Sequence, residues 1–329
     1  MTQLTNPASK EGQRYFVACP FCKQKFSILV PYSRISGNGN IQMQNDVRDE
    51  REAEFREKVI SKILSKNFDL PLLPHVAVKV IHLTREPNVA MQDLAKVILT
   101  DQAIATQILK IANSPVYSGA VEVKSISQAL MRLGIAEVKN LMLAISLKTK
   151  IFRSGIFGQF AKELWEHSVA AAFAARTIAC EVNIDKEESF LCGLMHDIGK
   201  MVLLSILEGT QKEFVEFKPT EETMANILTQ YNTDVGELVS SKWNLPSSVQ
   251  NSIKYHLKLD EMERWEGHAA VTGLADVFAT IAANVTDQTS EISFETMPAV
   301  QKLRLPPEMC PMILEKFIQT FEKAKGVFI

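Results

Sequence analysis

The chain has 329 residues, nearly equal numbers of acidic and basic side chains, and a formal net charge of -2. This balance provides no basic field that would concentrate nucleic acid or an anionic membrane surface. No apolar run reaches the roughly 18 residues of a membrane span, and the N-terminus lacks the apolar stretch of a signal peptide. The five cysteines are an odd number. We therefore expect a cytoplasmic protein with reduced cysteines, and its length indicates about two domains.

Residues 1–45 show the pattern of a small β-hairpin with two cysteines between its strands, followed by a flexible joint at 37–40. Cys19 and Cys22 form a CxxC pair that looks like half of a zinc ribbon, in which two such pairs enclose one ion. A second pair is absent from the sequence. Three interpretations stay open: a degenerate knuckle that only packs, a zinc ion shared between two chains of a homodimer, or a redox pair.

Beyond residue 45 the spacing of apolar residues is helical. Phe55, Val59 and Ile63 lie four residues apart and predict a helix over 46–68, which we interpret as a largely solvated linker. Further helices are predicted between Pro, Gly and Asn breaks. Their ranges are 75–84, 90–99, 101–112, 125–133, 135–150, 160–181, 188–207, 222–242, 247–257, 267–283 and 306–324. We expect an all-α domain of about a dozen helices around one core.

Three of these predicted helices carry histidine and aspartate residues that could form one site. His167 lies on an apolar helix face, His196 and Asp197 are adjacent, and Asp276 falls within an apolar stretch where an ionised carboxylate needs a partner. Imidazole and carboxylate ligands suit Fe, Mn, Ni or Mg better than a closed structural zinc site. We predict that these four residues bind one divalent metal ion. Considered singly, each is also typical of a hydrogen-bonded core histidine or an ion-paired carboxylate.

Other polar residues near this set are secondary candidates for the pocket: Glu163, one turn before His167, together with His256 and His268. If the site is catalytic, the metal ion would acidify a water molecule for attack on a phosphate ester. Lys200 would then contact the phosphate.

At these positions the sequence resembles the HD superfamily of metal-dependent phosphohydrolases, whose pattern is a first His, a His-Asp doublet and a distal Asp. The strongest resemblance is to the HDOD branch, because several separated motifs keep their order over about residues 60–280. These motifs are Leu70-Pro71-Leu72-Leu73-Pro74, Asp101, Ala112-Asn113-Ser114, Ser125-Ile126-Ser127-Gln128-Ala129, Leu133-Gly134, Trp165-Glu166-His167-Ser168, Trp243-Asn244-Leu245-Pro246 and Leu274-Ala275-Asp276.

The resemblance implies an HDOD domain over 69–285, with an HDOD-specific half at 69–155 and an HD-like half at 156–285. The remaining residues, 286–329, would form a C-terminal helical extension. The resemblance also implies a bacterial signalling or regulatory protein. Catalysis is mostly undemonstrated in the HDOD branch. The related HD-GYP phosphodiesterases bind a second metal ion and carry a Gly-Tyr-Pro signature, which this chain lacks. Asn232 and Leu257 stand where those relatives tend to have histidines, which argues against a dinuclear site.

We therefore predict a regulatory protein, non-catalytic or weakly catalytic, that acts through a signalling protein partner or a small nucleotide ligand. The alternative is a mononuclear metal-dependent phosphohydrolase acting on a nucleotide or phosphodiester. A nucleic-acid regulator that uses Lys23, Lys25 and Arg34 is the weakest hypothesis, because the chain as a whole lacks a basic field.

Overall fold

The structure, a computed structural model, describes residues 13–18, 25–30, 42–66, 68, 78–79, 90–117, 119, 121–151, 157–214, 217–263, 266–283 and 293–328. Two strands, β1 (Gln13–Ala18) and β2 (Lys25–Val30), pair antiparallel with Tyr15 opposite Ile28, in agreement with the predicted hairpin. Cys19, Cys22 and the predicted joint lie outside the described residues. The predicted helix at 75–84 also lies almost wholly outside them.

The rest of the described chain is helical, as the apolar spacing predicts. The α-helices are α1 (Gln42–Leu64), α2 (Met91–Leu99), α3 (Gln102–Ala112), α4 (Ile126–Leu133), α5 (Ile135–Ile151), α6 (Gly158–Glu181), α7 (Lys186–Met195), α8 (Ile198–Gln211), α9 (Glu221–Lys242), α10 (Ser247–Tyr255), α11 (Gly267–Ala283), α12 (Pro298–Leu303) and α13 (Cys310–Phe328). Short 3-10 turns occupy Leu259–Glu261 and Pro307–Met309. The domain boundaries given above stay predictions.

Helix α1 is packed against the domain, so its interpretation as a solvated linker is wrong. Its apolar stripe of Phe55, Val59 and Ile63 is buried, and the helix contacts α8 and α9. Phe55 meets the ring of Phe214 edge to face with 5.4 Å between centroids. Lys62 adds a 3.1 Å hydrogen bond to the hydroxyl of Thr210 in α8. The four-residue spacing of the stripe predicted the helix correctly but did not reveal its partner.

Helices α2–α5 form an N-terminal helix group whose starts and ends follow local sequence signals. Asp101 caps α3 by accepting hydrogen bonds from the backbone of Ala103 and Ile104, and Ser125 caps α4 in the same way. Gly134 ends α4 with a φ of 81°, which glycine adopts without strain. Helix α5 then contacts α7 and α8, so it joins this group to the next one.

Helices α6–α11 form a C-terminal helix group, and here one sequence prediction is wrong. The single helix expected over 188–207 is two helices, because His196 ends α7 and Asp197 precedes α8 with φ −105° and ψ 18°. The apolar spacing continues through the break, so the sequence gives no sign of it. The backbone of Asp197 departs from helical geometry at the point where groups from α8 and α9 bind its carboxylate.

The C-terminal residues add two helices, of which the sequence predicted one. Helix α12 was missed because it is only six residues long, and α13 starts and ends four residues later than expected. Helix α13 packs on α6, where Phe328 meets Phe173 edge to face. The carbonyl of Phe328 accepts hydrogen bonds from the indole of Trp165 at 2.9 Å and from the ammonium of Lys148 at 2.8 Å.

One stretch, Lys186–Gln211, is long and apolar enough to span a membrane by length and composition, contrary to the sequence expectation. It comprises α7 and α8, and 94% of its most apolar window is buried inside the protein. Such burial is typical of a core helix pair in a water-soluble fold.

A partly buried polar cluster, the Arg176 cluster, joins the two helix groups. Tyr117 and Glu137 come from the N-terminal group, and Arg176 and Glu187 come from the C-terminal group. The guanidinium donates to both carboxylates and, at 2.9 Å, to the Tyr117 hydroxyl, which in turn donates to Glu137. Burial would raise the pKa of Glu137, but the charge of Arg176 holds it below its usual value. Burial, with a hydrogen bond to Glu137, raises the pKa of Glu187 from 4.5 to about 7.

This pKa predicts a pH-dependent stability. Because the folded pKa of Glu187 exceeds the unfolded one, its contribution is fully present below the unfolded value of 4.5 and is lost as pH rises through about 7. Glu187→Gln keeps the neutral form at every pH. Between about pH 5 and about pH 8 we expect the free energy of unfolding of the wild type to fall by about 1–2 kcal/mol relative to that of this variant. This value is already reduced for the partial exposure of Glu187. Urea unfolding at both pH values measures the difference, and parallel profiles for the two proteins would contradict the assignment.

Candidate metal centre

The structure brings the four predicted ligands together at one buried point. His167 comes from α6, His196 and Asp197 from the break between α7 and α8, and Asp276 from α11. His167 Nε2 lies 3.0 Å from Asp276 Oδ1 and 3.8 Å from Asp197 Oδ2. His196 Nε2 lies 3.3 Å from Asp197 Oδ2 and 3.7 Å from Asp276 Oδ1. Ligands about 2.1 Å from one metal ion lie roughly 3.0 to 4.2 Å apart, so these separations fit such a site.

His196 carries the feature that fits a metal ion best. Its Nδ1 is 2.7 Å from the carbonyl oxygen of Gly193 and donates to it, so Nε2 is the ring nitrogen that would bind a metal ion, in place of a proton. Nε2 is buried and has no hydrogen-bond partner among the described residues. An unsatisfied buried nitrogen beside two carboxylates is costly unless a cation binds there. The donor set is therefore compatible with a divalent metal ion.

The charges of the pocket act strongly on one another. Burial alone would lower the pKa of His196, but the carboxylates of Asp197 and Asp276 raise it to about 10. Burial would raise the pKa of both aspartates, yet each is held well below its usual range. For Asp197 the cause is the charge of His196 and Lys200, and for Asp276 it is the hydrogen bond with His167 together with the nearby charge of His196. Both carboxylates are thus ionised, which is the form that binds metal.

Asp197 is held from two sides by neutral and charged partners. Lys200 Nζ donates to its Oδ2 at 2.6 Å, and the Asn232 amide donates to its Oδ1 at 2.7 Å. Asn232 also accepts a 3.0 Å hydrogen bond from the backbone nitrogen of Lys200, so α9 is fixed to the first turn of α8. The sequence presented Asn232 only as a missing ligand; the structure shows that it binds the carboxylate of Asp197, a candidate ligand. A contact between side chains on different helices gives no local sequence signal.

Lys200 is 1% exposed and forms a buried ion pair with Asp197. Its predicted contact with a substrate phosphate would therefore require this pair to open. The close approach of α8 to α9 depends on Gly199, because a Cβ there would lie 2.0 Å from the backbone oxygen of Asn232. The Gly-Lys sequence after the doublet thus has a packing role in addition to any role in binding.

His256 lies closer to the candidate ligands than its secondary rank in the sequence suggested. Its ring centroid is 5.2 Å from that of His196, and the two histidines form a second potential metal-binding group with Asp276. The His256 Nδ1 contacts the carbonyls of Ser252 at 2.9 Å and Ile253 at 3.1 Å. Burial, assisted by the charge of His196, lowers the pKa of His256 to about 4. The ring is therefore neutral, with its lone pair on Nε2.

The other two secondary candidates lie outside the pocket. Glu163 is exposed and accepts a 2.7 Å hydrogen bond from Gln159 on the surface of α6. His268 Nε2 lies 3.7 Å from a carboxylate oxygen of Glu188, at the opposite end of α7 from His196. Both residues were candidates because each lies one or two helical turns from a predicted ligand, Glu163 from His167 and His268 from Asp276. Neither side chain is among the groups that meet at the pocket.

A cavity of about 390 Å³ reaches the pocket from one side and is bounded by Asp276 and His256. Most of its other walls are apolar and come from α11, α12 and the segment after α10, including Leu274, Val277 and Met297. This volume lies within the range of small-molecule sites.

Comparison with known proteins gives the same fold. The sequence model of the HDOD domain matches residues 70–259. A structure described as a candidate metal-dependent phosphohydrolase from Shewanella amazonensis SB2B is 21% identical with a TM-score of 0.66, covering 85% of this chain and 100% of that one. An HDOD domain protein of unknown function from Geobacter sulfurreducens is 19% identical with a TM-score of 0.63, covering 84% and 99%.

A sequence relative, an uncharacterised protein from Treponema pallidum strain Nichols, is 25% identical over 209 residues. These residues are 61% of this chain, which spans only 40% of the length of that relative.

Proposed function

This chain belongs to the HDOD family. From that premise we propose that it is a regulatory protein, non-catalytic or weakly catalytic, whose pocket binds one divalent metal ion through His167, His196, Asp197 and Asp276. Fe, Mn, Ni and Mg all suit this mixture of nitrogen and oxygen donors. The bound ion would stabilise one arrangement of the helices, and that arrangement would be recognised by a signalling protein partner or tuned by a small nucleotide. The protein would act in the bacterial cytoplasm.

The buried ion pair between Lys200 and Asp197 is the observation that carries this proposal. In a hydrolytic site the cation after the doublet would face the substrate, but here the ammonium is directed at Asp197, a proposed ligand, and Lys200 is 1% exposed. His196 and Asp197 are likewise fully buried. A metal ion bound at these residues would have strong structural effects and little contact with bulk solvent, which favours a regulatory role over turnover.

The alternative, a mononuclear phosphohydrolase acting on a nucleotide or phosphodiester, is supported by the cavity beside Asp276 and His256. A bound metal ion would supply an acidic water molecule and polarise a phosphate ester. The same four residues would hold it. Neutral His256 would accept a hydrogen bond at Nε2 from a water molecule or substrate hydroxyl in this cavity.

The N-terminal cysteine pair is a separate part of the proposal. A zinc ion shared by Cys19 and Cys22 of two chains would give a homodimer, while a degenerate knuckle would leave each chain independent. Replacing both cysteines with serine, followed by metal analysis and light scattering, separates these two cases.

Metal binding can be tested with Asp276→Asn, which keeps the size of the side chain but removes the charge. We expect the wild type to bind about one Mn²⁺ per chain in the pocket and to be stabilised by it. Asp276→Asn should weaken this binding by at least about 100-fold, since loss of a mere supporting contact already costs 10–100-fold. Isothermal titration calorimetry of the Cys19→Ser, Cys22→Ser background measures the pocket alone.

Glu163→Gln is the matched control, because it neutralises an exposed carboxylate on α6 outside the pocket. Equal Mn²⁺ affinity in Asp276→Asn and Glu163→Gln would refute the assigned ligand set. A panel of nucleotides and phosphodiesters should give no turnover that depends on Asp276. Turnover lost in Asp276→Asn and kept in Glu163→Gln would instead establish the phosphohydrolase.

A further inference from the structure

Helices α6 and α7 form a hairpin that carries polar clusters at its two ends. His167 and His196 lie at one end, in the metal pocket, and Arg176 and Glu187 lie at the other, in the Arg176 cluster. In each helix about nine residues, or roughly 14 Å of helix, separate the two positions. The same pair of rigid elements therefore holds the candidate ligands and the contact with the N-terminal helix group.

The N-terminal helix group contacts this hairpin through both side chains and backbone. Glu137 accepts from Arg176, whose Nη2 also donates to Glu187 at 2.7 Å. Asn140, one turn further along α5, donates a 2.8 Å hydrogen bond to the backbone oxygen of Glu187. The guanidinium carbon lies 4.3 Å from the ring centroid of Phe190 on α7. Arg176 thus fixes the first two turns of α7 relative to α5 and α6.

The hairpin is packed closely enough to transmit a displacement between its ends. A Cβ at Gly193 would lie 2.5 Å from the backbone oxygen of Ala171, so the two helix backbones are almost in contact midway along the hairpin. Gly193 also accepts the hydrogen bond that orients His196. Close-packed interiors have little free volume, so tilting α7 at Glu187 has to move Gly193 or His196.

We propose that Arg176 is a positioning residue for the metal ligands: through the α6–α7 hairpin, its cluster couples the docking of the N-terminal helix group to the spacing of His167 and His196. This inference rests on the proposed metal binding and adds the route by which the pocket and the N-terminal group influence each other. Because coupling between two sites is reciprocal, metal binding strengthens the docking of α5, and loosening the cluster weakens metal binding.

The test is Mn²⁺ affinity and the EPR spectrum of bound Mn²⁺ in Arg176→Met, which removes the charge but keeps an unbranched side chain. We expect affinity to fall about 5- to 50-fold, within the usual range of coupling between sites, and the spectrum to change. Hydrogen exchange should show that Mn²⁺ protects the α5 amides around Glu137 in the wild type and fails to do so in the variant. If Arg176→Met does not fold, Tyr117→Phe removes the bridging hydroxyl, and we expect Mn²⁺ affinity to fall about 2- to 5-fold, as for the loss of one hydrogen bond.

Two controls distinguish positioning from general loss of stability. Ile108→Ala removes most of a buried side chain of α3, in the same helix group but outside the Arg176 cluster. Lys316→Met breaks an exposed ion pair with Glu181 on α6. Both should keep wild-type Mn²⁺ affinity and spectrum. The coupling is refuted if Arg176→Met or Tyr117→Phe binds Mn²⁺ like the wild type, or if Ile108→Ala weakens binding equally. In these cases the proposed metal binding stands, whereas a wild type that binds no Mn²⁺ refutes both proposals.

Discussion

Lys200→Met is expected to destabilise the metal-free protein by about 3 kcal/mol and to make the protein respond more strongly to added metal. The substitution removes an ammonium that lies 2.6 Å from Asp197 Oδ2, in a pair with almost no exposure. Breaking a buried pair leaves an uncompensated charge and typically costs about 3–5 kcal/mol. We expect the lower end because His196, whose pKa is raised to about 10, still carries positive charge beside Asp197.

A divalent ion in the pocket would replace the missing charge. Urea unfolding with EDTA should therefore show the full loss, and unfolding with Mn²⁺ should show recovery of most of it, with a larger Mn²⁺ effect than in the wild type. Lys254→Met is the matched control, because its ion pair with Glu237 has both side chains more than 40% exposed. That variant should lose less than about 1 kcal/mol. A destabilised Lys200→Met that metal fails to rescue would mean that Asp197 is not a ligand.

Gly199→Ala is expected to cost about 3 kcal/mol or more, or to prevent folding. The added Cβ would lie 2.0 Å from the backbone oxygen and 2.8 Å from the backbone carbon of Asn232. Backbone atoms cannot rotate away as a side chain can, so α8 and α9 have to separate. Their separation would also break the hydrogen bonds of Asn232 with Asp197 and Lys200, and we expect weaker Mn²⁺ binding as a second effect.

Gly209→Ala is an internal control in the same helix. Gly209 is exposed in α8, and a Cβ there meets nothing within 4 Å. Because alanine favours helix over glycine, this variant should gain about 0.5–1 kcal/mol. Thermal and urea unfolding of both variants measure the contrast. Similar stabilities for the two would show that the contact between α8 and α9 is looser than described.

The sequence predicted the all-helical fold and the meeting of His167, His196, Asp197 and Asp276 well. Apolar periodicity is a local property, and the motif residues kept the order of a known pattern. The break between α7 and α8 could not be predicted, since the apolar spacing runs through it and its cause lies in α9. For a related reason the contacts of Asn232 and Lys200 with Asp197 could not be predicted. Asn232 reaches Asp197 through helix packing across more than 30 residues of sequence, and Lys200 reaches it through the direction of its side chain. The contact of Lys200 with a phosphate stays a prediction.

The carbonyl of Phe328 uses both of its lone pairs, one on Lys148 of α5 and one on the indole of Trp165, which lies two residues before His167. A buried, hydrogen-bonded indole changes its emission when its surroundings open to water. Trp165 therefore gives the protein an intrinsic optical reporter, placed where the last turn of α13 meets both helix groups. With Trp243 and Trp265 replaced by phenylalanine, the fluorescence of this one side chain would follow the association of three parts of the fold without any attached label.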